Sequence, residues 1–264
     1  MRRSTHFASA LVSSAAFFVS SGPSASPASE IIEHRTKHRF PLSRKIGDVP
    51  AQFLGANTRC MLGWCKVAAA RAYAFGLYAD APLLSRVAAN ASDASRTKAL
   101  LDAMEASASA REPCQLSLLI IVARDIDGAH MAGGFRRSIL SIYKKLLATR
   151  GIVASSDSLI ADIGAFLSVI EKDSFVVGDE LVFSWSARDS ALRVFIRGVP
   201  APFTIRDPLL ARALFEVYAG ETPVSARAAK TFESNLAAIA GTKAQDIVPV
   251  LQRAALEEHA SRVK

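Results

Sequence analysis

The sequence contains few cysteines. Only three of its 264 residues are cysteine, an odd number that suits no disulfide framework. Cys60, Cys65 and Cys114 also lack the CxxC spacing and the histidine partners of a zinc site. We therefore predict buried free thiols at Cys60 and Cys65 and a reducing or redox-neutral compartment.

Long apolar runs and dense blocks of one charge are missing as well. The apolar stretch at residues 7–19 is too short and too rich in serine to span a bilayer. The net charge is +8, but no cluster of basic residues is interleaved with aromatics, which argues against nucleic acid as a partner. A preference for anionic ligands or surfaces remains. Because 50% of the residues are apolar, a disordered chain is excluded.

Acidic residues are absent before Glu30. The same segment holds nine serines together with Arg2 and Arg3, a composition typical of an organelle transit peptide. We predict a mitochondrial leader over residues 1–30 and one domain over residues 31–264. Two other interpretations remain open: the h-region of a secretory signal peptide at residues 7–19, and a plastid or retained segment.

A two-residue periodicity marks the first part of the predicted domain. A ragged strand or hairpin ends near Gly47, and strands follow at residues 53–62 and 66–80. In the second of these strands Arg71, Tyr73 and Phe75 share one face, while alanines and a glycine form the other. Small residues permit close approach, so we predict that a helix covers the alanine face and that the aromatic face meets a looser, more polar layer.

The remaining segments predict an α+β domain. The continuous apolar run at residues 114–127 predicts a strand buried on both faces, and residues 179–205 predict two strands and a proline-bearing edge strand. Helical spacing and capping residues predict helices over residues 82–109 (with a break near 90–95), 128–151, 155–175, 206–220 and 225–241, followed by a final polar helix. The predicted architecture is a bent antiparallel sheet with a layer of helices on one side.

Six segments occur in an order that resembles the chalcone isomerase superfamily. They are "FLGANTR", "YAFGLYAD", "DGAHMAGGFRRSILSIY", "FVVGDELVFSW", "LRVFIRG" and "IRDPLLARALFEVYAGETPVSARAAK". Together they cover roughly residues 40–240. The resemblance implies the open-faced sandwich fold of that family, which includes flavanone-forming isomerases and non-catalytic fatty-acid binders.

The resemblance also implies a site around Arg59. In both branches an arginine at this position holds an anion, either an enolate or a carboxylate, and Tyr73 matches the tyrosine that binders place beside it. The isomerase tyrosine falls at His130 or Met131, its lysine and asparagine near Gly134 and Ser138, and its threonine or serine near Val217. Most of the isomerase hydrogen-bond network is therefore missing. We predict a non-catalytic binder of a fatty acid or similar amphipathic anion, with ligand-binding residues Arg59, Tyr73, Phe75, Met131, Val217 and Tyr218.

Two alternatives stay open. An intramolecular lyase of the chalcone isomerase type would use Arg59, Tyr73 and Tyr218, and a structural or interaction protein would keep only a vestigial pocket. His130 beside Met131 can ligate haem iron, but such a pair is more often an ordinary polar contact. "GAHMAGGF" lacks the fingerprint of a phosphate loop. We therefore predict no cofactor, no metal and no transmembrane segment.

Overall fold

The computed structural model describes residues 30–61, 64–90, 95–153 and 156–263. The predicted leader, residues 1–30, lies outside the described residues except for Glu30. Chain order gives the elements β1 (Glu30–Ile32), β2 (Arg39–Pro41), β3 (Ser43–Ile46), β4 (Val49–Cys60), β5 (Arg71–Asp80), α1 (Ala81–Ala89), α2 (Arg96–Ala110), β6 (Gln115–Val122), β7 (Ile126–Asp127), α3 (Gly128–Thr149), α4 (Ser156–Glu171), β8 (Ser174–Phe175), β9 (Glu180–Ser186), β10 (Ala191–Ile196), β11 (Val199–Ile205), α5 (Pro208–Ala219), α6 (Ala226–Ala238) and α7 (Ile247–Val263).

A seven-stranded antiparallel sheet organises the fold. Its strand order is β11-β10-β9-β6-β5-β4-β3, and β1–β2 and β7–β8 form two small additional sheets. Every residue of β6 is buried, as its continuous apolar sequence predicts. β11, with Pro200 and Pro202, lies at the sheet edge, where a missing backbone N–H is tolerated.

Aspartate side chains cap the N-termini of three helices. Asp80 accepts a hydrogen bond from the backbone N–H of Leu83 at the start of α1, and Asp207 does the same for Leu209 at the start of α5. Asp127 caps α3 in the same way. These bonds satisfy backbone donors that have no partner inside the helix. Among the helices that the structure describes, none is long and apolar enough to cross a bilayer.

The two faces of β5 are covered in the opposite way to the prediction. Tyr73, Phe75 and Leu77 pack into the main core with α3 and α5, whereas Ala74 and Tyr78 belong to a smaller core with Phe40 and Phe53. The small face is therefore covered by aromatic rings from the β2 hairpin and β4. A Cβ on Gly76 would lie 2.7 Å from Cδ1 of Phe40. The glycine therefore permits a close approach, as predicted, but the group that approaches it is an aromatic ring and not a helix.

The segment before β5 also differs from the prediction. β5 begins at Arg71, and residues 68–70 form a short 3-10 helix, so the strand predicted from residue 66 is five residues too long. Cys60 and Cys65 form a disulfide, and the prediction of two free thiols is wrong. The third cysteine, Cys114, is a buried free thiol. The disulfide closes the loop that follows β4.

Candidate functional site

The pairing of β4 with β5 brings the first two predicted site residues together. Arg59 lies directly opposite Tyr73 in the antiparallel register, and opposite residues project from the same face of a sheet. Tyr218 reaches the same place from α5, and its hydroxyl oxygen lies 2.9 Å from that of Tyr73. Residues distant in sequence thus meet where the ends of β4 and β5 face α3 and α5.

A cavity of about 270 Å³ opens at this point. Its lining is mostly apolar, and its charged or basic members are Arg59, Arg137 and His130. Among the described residues, no aspartate or glutamate belongs to the lining, whose described members are Arg59, Cys60, Met61, Ala72, Tyr73, Ile126, His130, Met131, Gly134, Phe135, Arg137, Ser138, Val217 and Tyr218. The cavity therefore combines an apolar wall with an excess of positive charge.

Arg59 is half-buried and weakly engaged by the protein itself. Its Nη1 donates one long hydrogen bond, 3.4 Å, to the backbone oxygen of Val224 in the loop after α5. Within the described ranges Arg59 takes part in no salt bridge. A guanidinium group offers five N–H donors in a planar fork, so most of its capacity to bind a carboxylate is unused.

The paired tyrosine hydroxyls are kept protonated by their surroundings. Burial raises the pKa of Tyr73, and the hydrogen bond from Tyr218 and the charge of Arg59 only partly oppose the rise. Burial raises the pKa of Tyr218 further, and the neighbouring Tyr73 adds to that rise. The hydrogen bond between the two hydroxyl groups uses the hydrogen of only one of them. The hydroxyl that accepts this bond keeps its own hydrogen available for an anion in the cavity.

Five of the six residues predicted to bind the ligand line the cavity: Arg59, Tyr73, Met131, Val217 and Tyr218. Phe75 does not. It is fully buried, and its ring centroid lies 4.8 Å from that of Tyr218, so it packs behind the tyrosine. Arg71 is also directed elsewhere, because its guanidinium donates to the backbone oxygens of Arg35 at 2.6 Å and Cys65 at 3.3 Å.

A comparison with known proteins identifies the fold. No protein-family model matches the sequence, and a search of curated proteins finds no match either. Among solved structures, the fatty-acid binding protein AtFAP1 of Arabidopsis thaliana is similar with a TM-score of 0.60. The alignment covers 80% of this chain and 98% of that protein at 21% identity. This chain has the chalcone isomerase-like fold. The resemblance noted in the sequence is thereby confirmed as a shared fold.

One charged residue of the cavity, Arg137, is not among the site residues that the sequence predicts. Arg137 is exposed on α3 and lines the cavity with His130, Gly134 and Ser138. Successive members of this set are four, three and one residues apart, which places all of them on one face of the helix. The same periodicity in the sequence indicates Arg137 as a further candidate for the site. In the described part of the chain, no group of three or more histidine, cysteine, aspartate or glutamate side chains is arranged to hold a metal.

Proposed function

We propose that this chalcone isomerase-like protein is a non-catalytic binder of a fatty acid or similar amphipathic anion, held in the cavity around Arg59. The observation that carries the proposal is the lining itself, which is largely apolar and, in the part of the chain that the structure describes, contains two arginines and no carboxylate. An arginine that no described carboxylate neutralises in such a place favours an anionic ligand. The structural similarity to a protein described as fatty-acid binding supports the same conclusion.

The geometry suggests how such a ligand is held. Its carboxylate accepts hydrogen bonds from the guanidinium of Arg59 and from the tyrosine hydroxyl that is not consumed in the Tyr73–Tyr218 bond. The chain of the ligand lies against Met131, Phe135 and Val217, between the sheet and the helices. Because the surroundings are apolar, the attraction between the two charges is stronger than it would be in water.

Lipid extraction tests this proposal. We expect mass spectrometry to find a long-chain acid in protein purified without added lipid, and much less of it in Arg59→Ala. The loss of charge-assisted hydrogen bonds, about 1.5–3 kcal/mol, weakens binding by roughly 10- to 100-fold. Arg253→Ala is the matched control, since Arg253 is exposed on α7 and absent from the cavity lining. Equal loading of Arg59→Ala and Arg253→Ala, or no acyl chain in any sample, would contradict the proposal.

Removal of single hydroxyls tests the role of the tyrosine pair. Tyr73→Phe and Tyr218→Phe keep both rings and remove one oxygen each. We expect each to weaken the binding of a fluorescent fatty acid by several-fold, because the remaining hydroxyl then donates to the ligand without the support of its partner, and an ordinary hydrogen bond contributes about 0.5–1.5 kcal/mol. Ser168→Ala, at an exposed hydroxyl on α4, should leave binding unchanged. Unchanged affinity in both phenylalanine variants would show that the tyrosine hydroxyls do not bind the ligand.

A second candidate function is an intramolecular lyase of the chalcone isomerase type. The observation that favours it is the combination of a cation and a protonated tyrosine pair in one cavity, which can stabilise a developing enolate. Incubation with a 2'-hydroxychalcone decides the matter: a rate equal to that in buffer excludes this chemistry. If neither a lipid nor a reaction is found and one stoichiometric protein partner co-purifies, the third interpretation, an interaction protein, is correct.

We further propose that the protein acts in mitochondria. The support is the composition of residues 1–30, which are rich in serine, begin with two arginines and have no acidic residue before Glu30. Import into isolated mitochondria, with and without residues 1–29, tests this directly. Transport into microsomes or plastids instead would indicate one of the two alternative leaders.

A further inference from the structure

Four apolar side chains project into solvent from two loops. Trp64 and Val67, in the loop between β4 and β5, expose 66% and 50% of their surface. Val176 and Val177, in the turn between β8 and β9, expose 56% and 58%. Single exposed valines are ordinary, but an exposed tryptophan with three other large apolar residues is a feature that marks interaction surfaces.

The two loops lie at the same end of the sheet, because they precede β5 and β9, which flank β6 where that strand ends. Residues 122–125 contact both loops. On one side Arg124 donates to the backbone oxygen of Ala69 at 3.0 Å and to the sulfur of Met61 at 2.7 Å. On the other side the backbone N–H of Gly178 donates to the oxygen of Val122 at 2.9 Å, and that of Val177 donates to Asp125 at 3.1 Å. We call the patch formed by Trp64, Val67, Val176 and Val177 the apolar rim.

The two loops of the apolar rim adjoin residues that line the cavity. Cys60 and Met61 line the cavity, and the loop that carries Trp64 continues from them. The disulfide from Cys60 to Cys65 and a hydrogen bond from Trp64 N–H to the oxygen of Met61, 3.0 Å, hold that loop against the cavity wall. On the other side Ile126, which also lines the cavity, follows Asp125 directly.

Basic residues without a described acidic partner lie in or next to the two loops and on the cavity wall. Lys66, Arg71, Arg124 and Arg137 form no salt bridge with any described residue. Three aspartates lie in the same region: Asp125 and Asp179 accept hydrogen bonds from the backbone N–H groups of Val177 and Val176, and Asp127 accepts one from Ala129. Asp179 is also paired with Arg197. The four basic residues therefore outnumber the two aspartates without a described ion-pair partner, and the region carries a net positive charge.

We propose that the apolar rim docks on the surface of a bilayer that contains anionic lipid. Tryptophan and short aliphatic side chains partition into the boundary between headgroups and acyl chains, and the surrounding cations attract negatively charged headgroups. Docking in this orientation brings the part of the cavity lined by Cys60, Met61 and Ile126 close to the membrane, where an amphipathic acid resides. The surface goes beyond the proposed function, because docking does not depend on the identity of the ligand.

Trp64 itself provides the measurement. The sequence has two tryptophans, and the other, Trp185, is fully buried. The full chain is mixed with phosphatidylcholine vesicles that carry brominated acyl chains, with and without phosphatidylglycerol. We expect quenching of Trp64 fluorescence only when phosphatidylglycerol is present, with Trp185 unaffected. This readout also separates docking of the apolar rim from attraction of the basic N-terminal segment, which contains no tryptophan.

Matched variants sharpen the test in a vesicle flotation assay. Trp64→Ala, and independently Val176→Ser with Val177→Ser, should weaken binding by about tenfold, as the loss of buried apolar surface predicts. Lys66→Gln should weaken it by about fivefold. Val153→Ser is the control, since Val153 is 99% exposed and follows the C-terminal end of α3, a helix whose 22 residues span about 33 Å from Gly128 at its start, and it should bind as the wild type does.

The outcomes separate this proposal from the proposed function. Absence of Trp64 quenching, equal binding with and without phosphatidylglycerol, or equal effects of the rim variants and Val153→Ser overturns the docking surface. None of these results changes the amount of acid extracted from the purified protein, which tests the cavity alone. Loss of loading in Arg59→Ala with normal vesicle binding confirms that the two features are independent.

Discussion

Gly76 shows how one missing side chain shapes the fold at the residue scale. It lies in β5 under the ring of Phe40, and an added Cβ would stand 2.7 and 2.8 Å from two of the ring carbons. We expect Gly76→Ala to lower the free energy of unfolding by about 1–3 kcal/mol, because the buried ring has no room to move away. Urea denaturation followed by circular dichroism measures the difference.

Gly164→Ala is the control for that substitution. Gly164 lies in α4, and nothing approaches within 4 Å of the position of its Cβ. Alanine in a helix is more favourable than glycine, so this variant should gain about 0.5–1 kcal/mol. If the two alanine variants have the same stability, the contact between Gly76 and Phe40 does not constrain the sheet.

The resemblance to a known family predicts Arg59, Tyr73 and Tyr218 as site residues, and the structure brings all three to one cavity. Their role in holding a ligand stays a prediction. Phe75 was placed on the same face as Tyr73, which is correct, but periodicity cannot tell whether a residue reaches a cavity or packs behind another ring. The Cys60–Cys65 disulfide was missed because a spacing of five residues does not by itself distinguish a bond from two thiols.

At the scale of elements, a buried arginine connects three parts of the helix layer. Arg212 on α5 forms ion pairs of 2.8 Å with Asp102 and Glu105 on α2 and with Glu216 on its own helix. Glu105 also pairs with Arg150, the residue that follows α3. No pattern within the sequence predicts this cluster, because Arg212 and Glu105 are 107 residues apart.

The cluster makes stability depend on pH. Burial alone would raise the pKa of Glu105, but hydrogen bonds from Arg150 and Arg212 outweigh it and leave the pKa lowered from 4.5; the pKa of Asp102 is likewise lowered from 3.8. A lowered folded-state pKa adds stability above the ordinary value, and this stability is lost as the pH falls through the folded value. We expect Arg212→Met to cost about 2–3 kcal/mol at neutral pH, with the difference from wild type shrinking below pH 4.5.

Urea denaturation at a series of pH values measures this effect. Arg193→Met is the control, because its pair with Asp189 is largely exposed and should contribute less than about 1 kcal/mol at any pH. A difference between Arg212→Met and wild type that stays constant from neutral to acid pH would show that the arginine acts through packing alone.

Element boundaries were predictable where the sequence carries a strong local signal. The cap Asp207 and the proline-bearing edge strand β11 stand where the sequence predicts them. β6 is buried throughout, as predicted, but it ends at Val122, five residues before the predicted end of the strand. The prediction of a strand over residues 66–70 is wrong, because an alanine-rich run satisfies the period of a strand as well as that of a helix. β7 and β8 have two residues each and are too short for any periodicity to reveal.

For the molecule as a whole, an occupied cavity should add to stability. A ligand that binds only the folded protein stabilises it by about 2.7 kcal/mol at a free concentration 100 times its dissociation constant. We expect a long-chain fatty acid to raise the Tm of delipidated protein in a concentration-dependent way, measured by differential scanning fluorimetry. Arg59→Ala should show little shift at the same concentrations, and a shift equal to that of wild type would place the acid elsewhere on the protein.

The overall architecture followed from the sequence, but the covering of the sheet did not. Alternating residues predicted two distinct faces for β5, and the structure has two. Which layer covers which face depends on the path of the chain through space, which local patterns do not contain. Phe40 and Phe53 were therefore not anticipated as the cover of the small-residue face.

The bond between Cys60 and Cys65 has a consequence for the history of each molecule in the cell. Thiols stay reduced in compartments buffered by glutathione or thioredoxin, and they become oxidised where a dedicated oxidant is present. A molecule that carries this bond has therefore met such an oxidant after its synthesis. The oxidation state of the pair, in protein isolated under acid quench, would report the route by which the chain reached its final compartment.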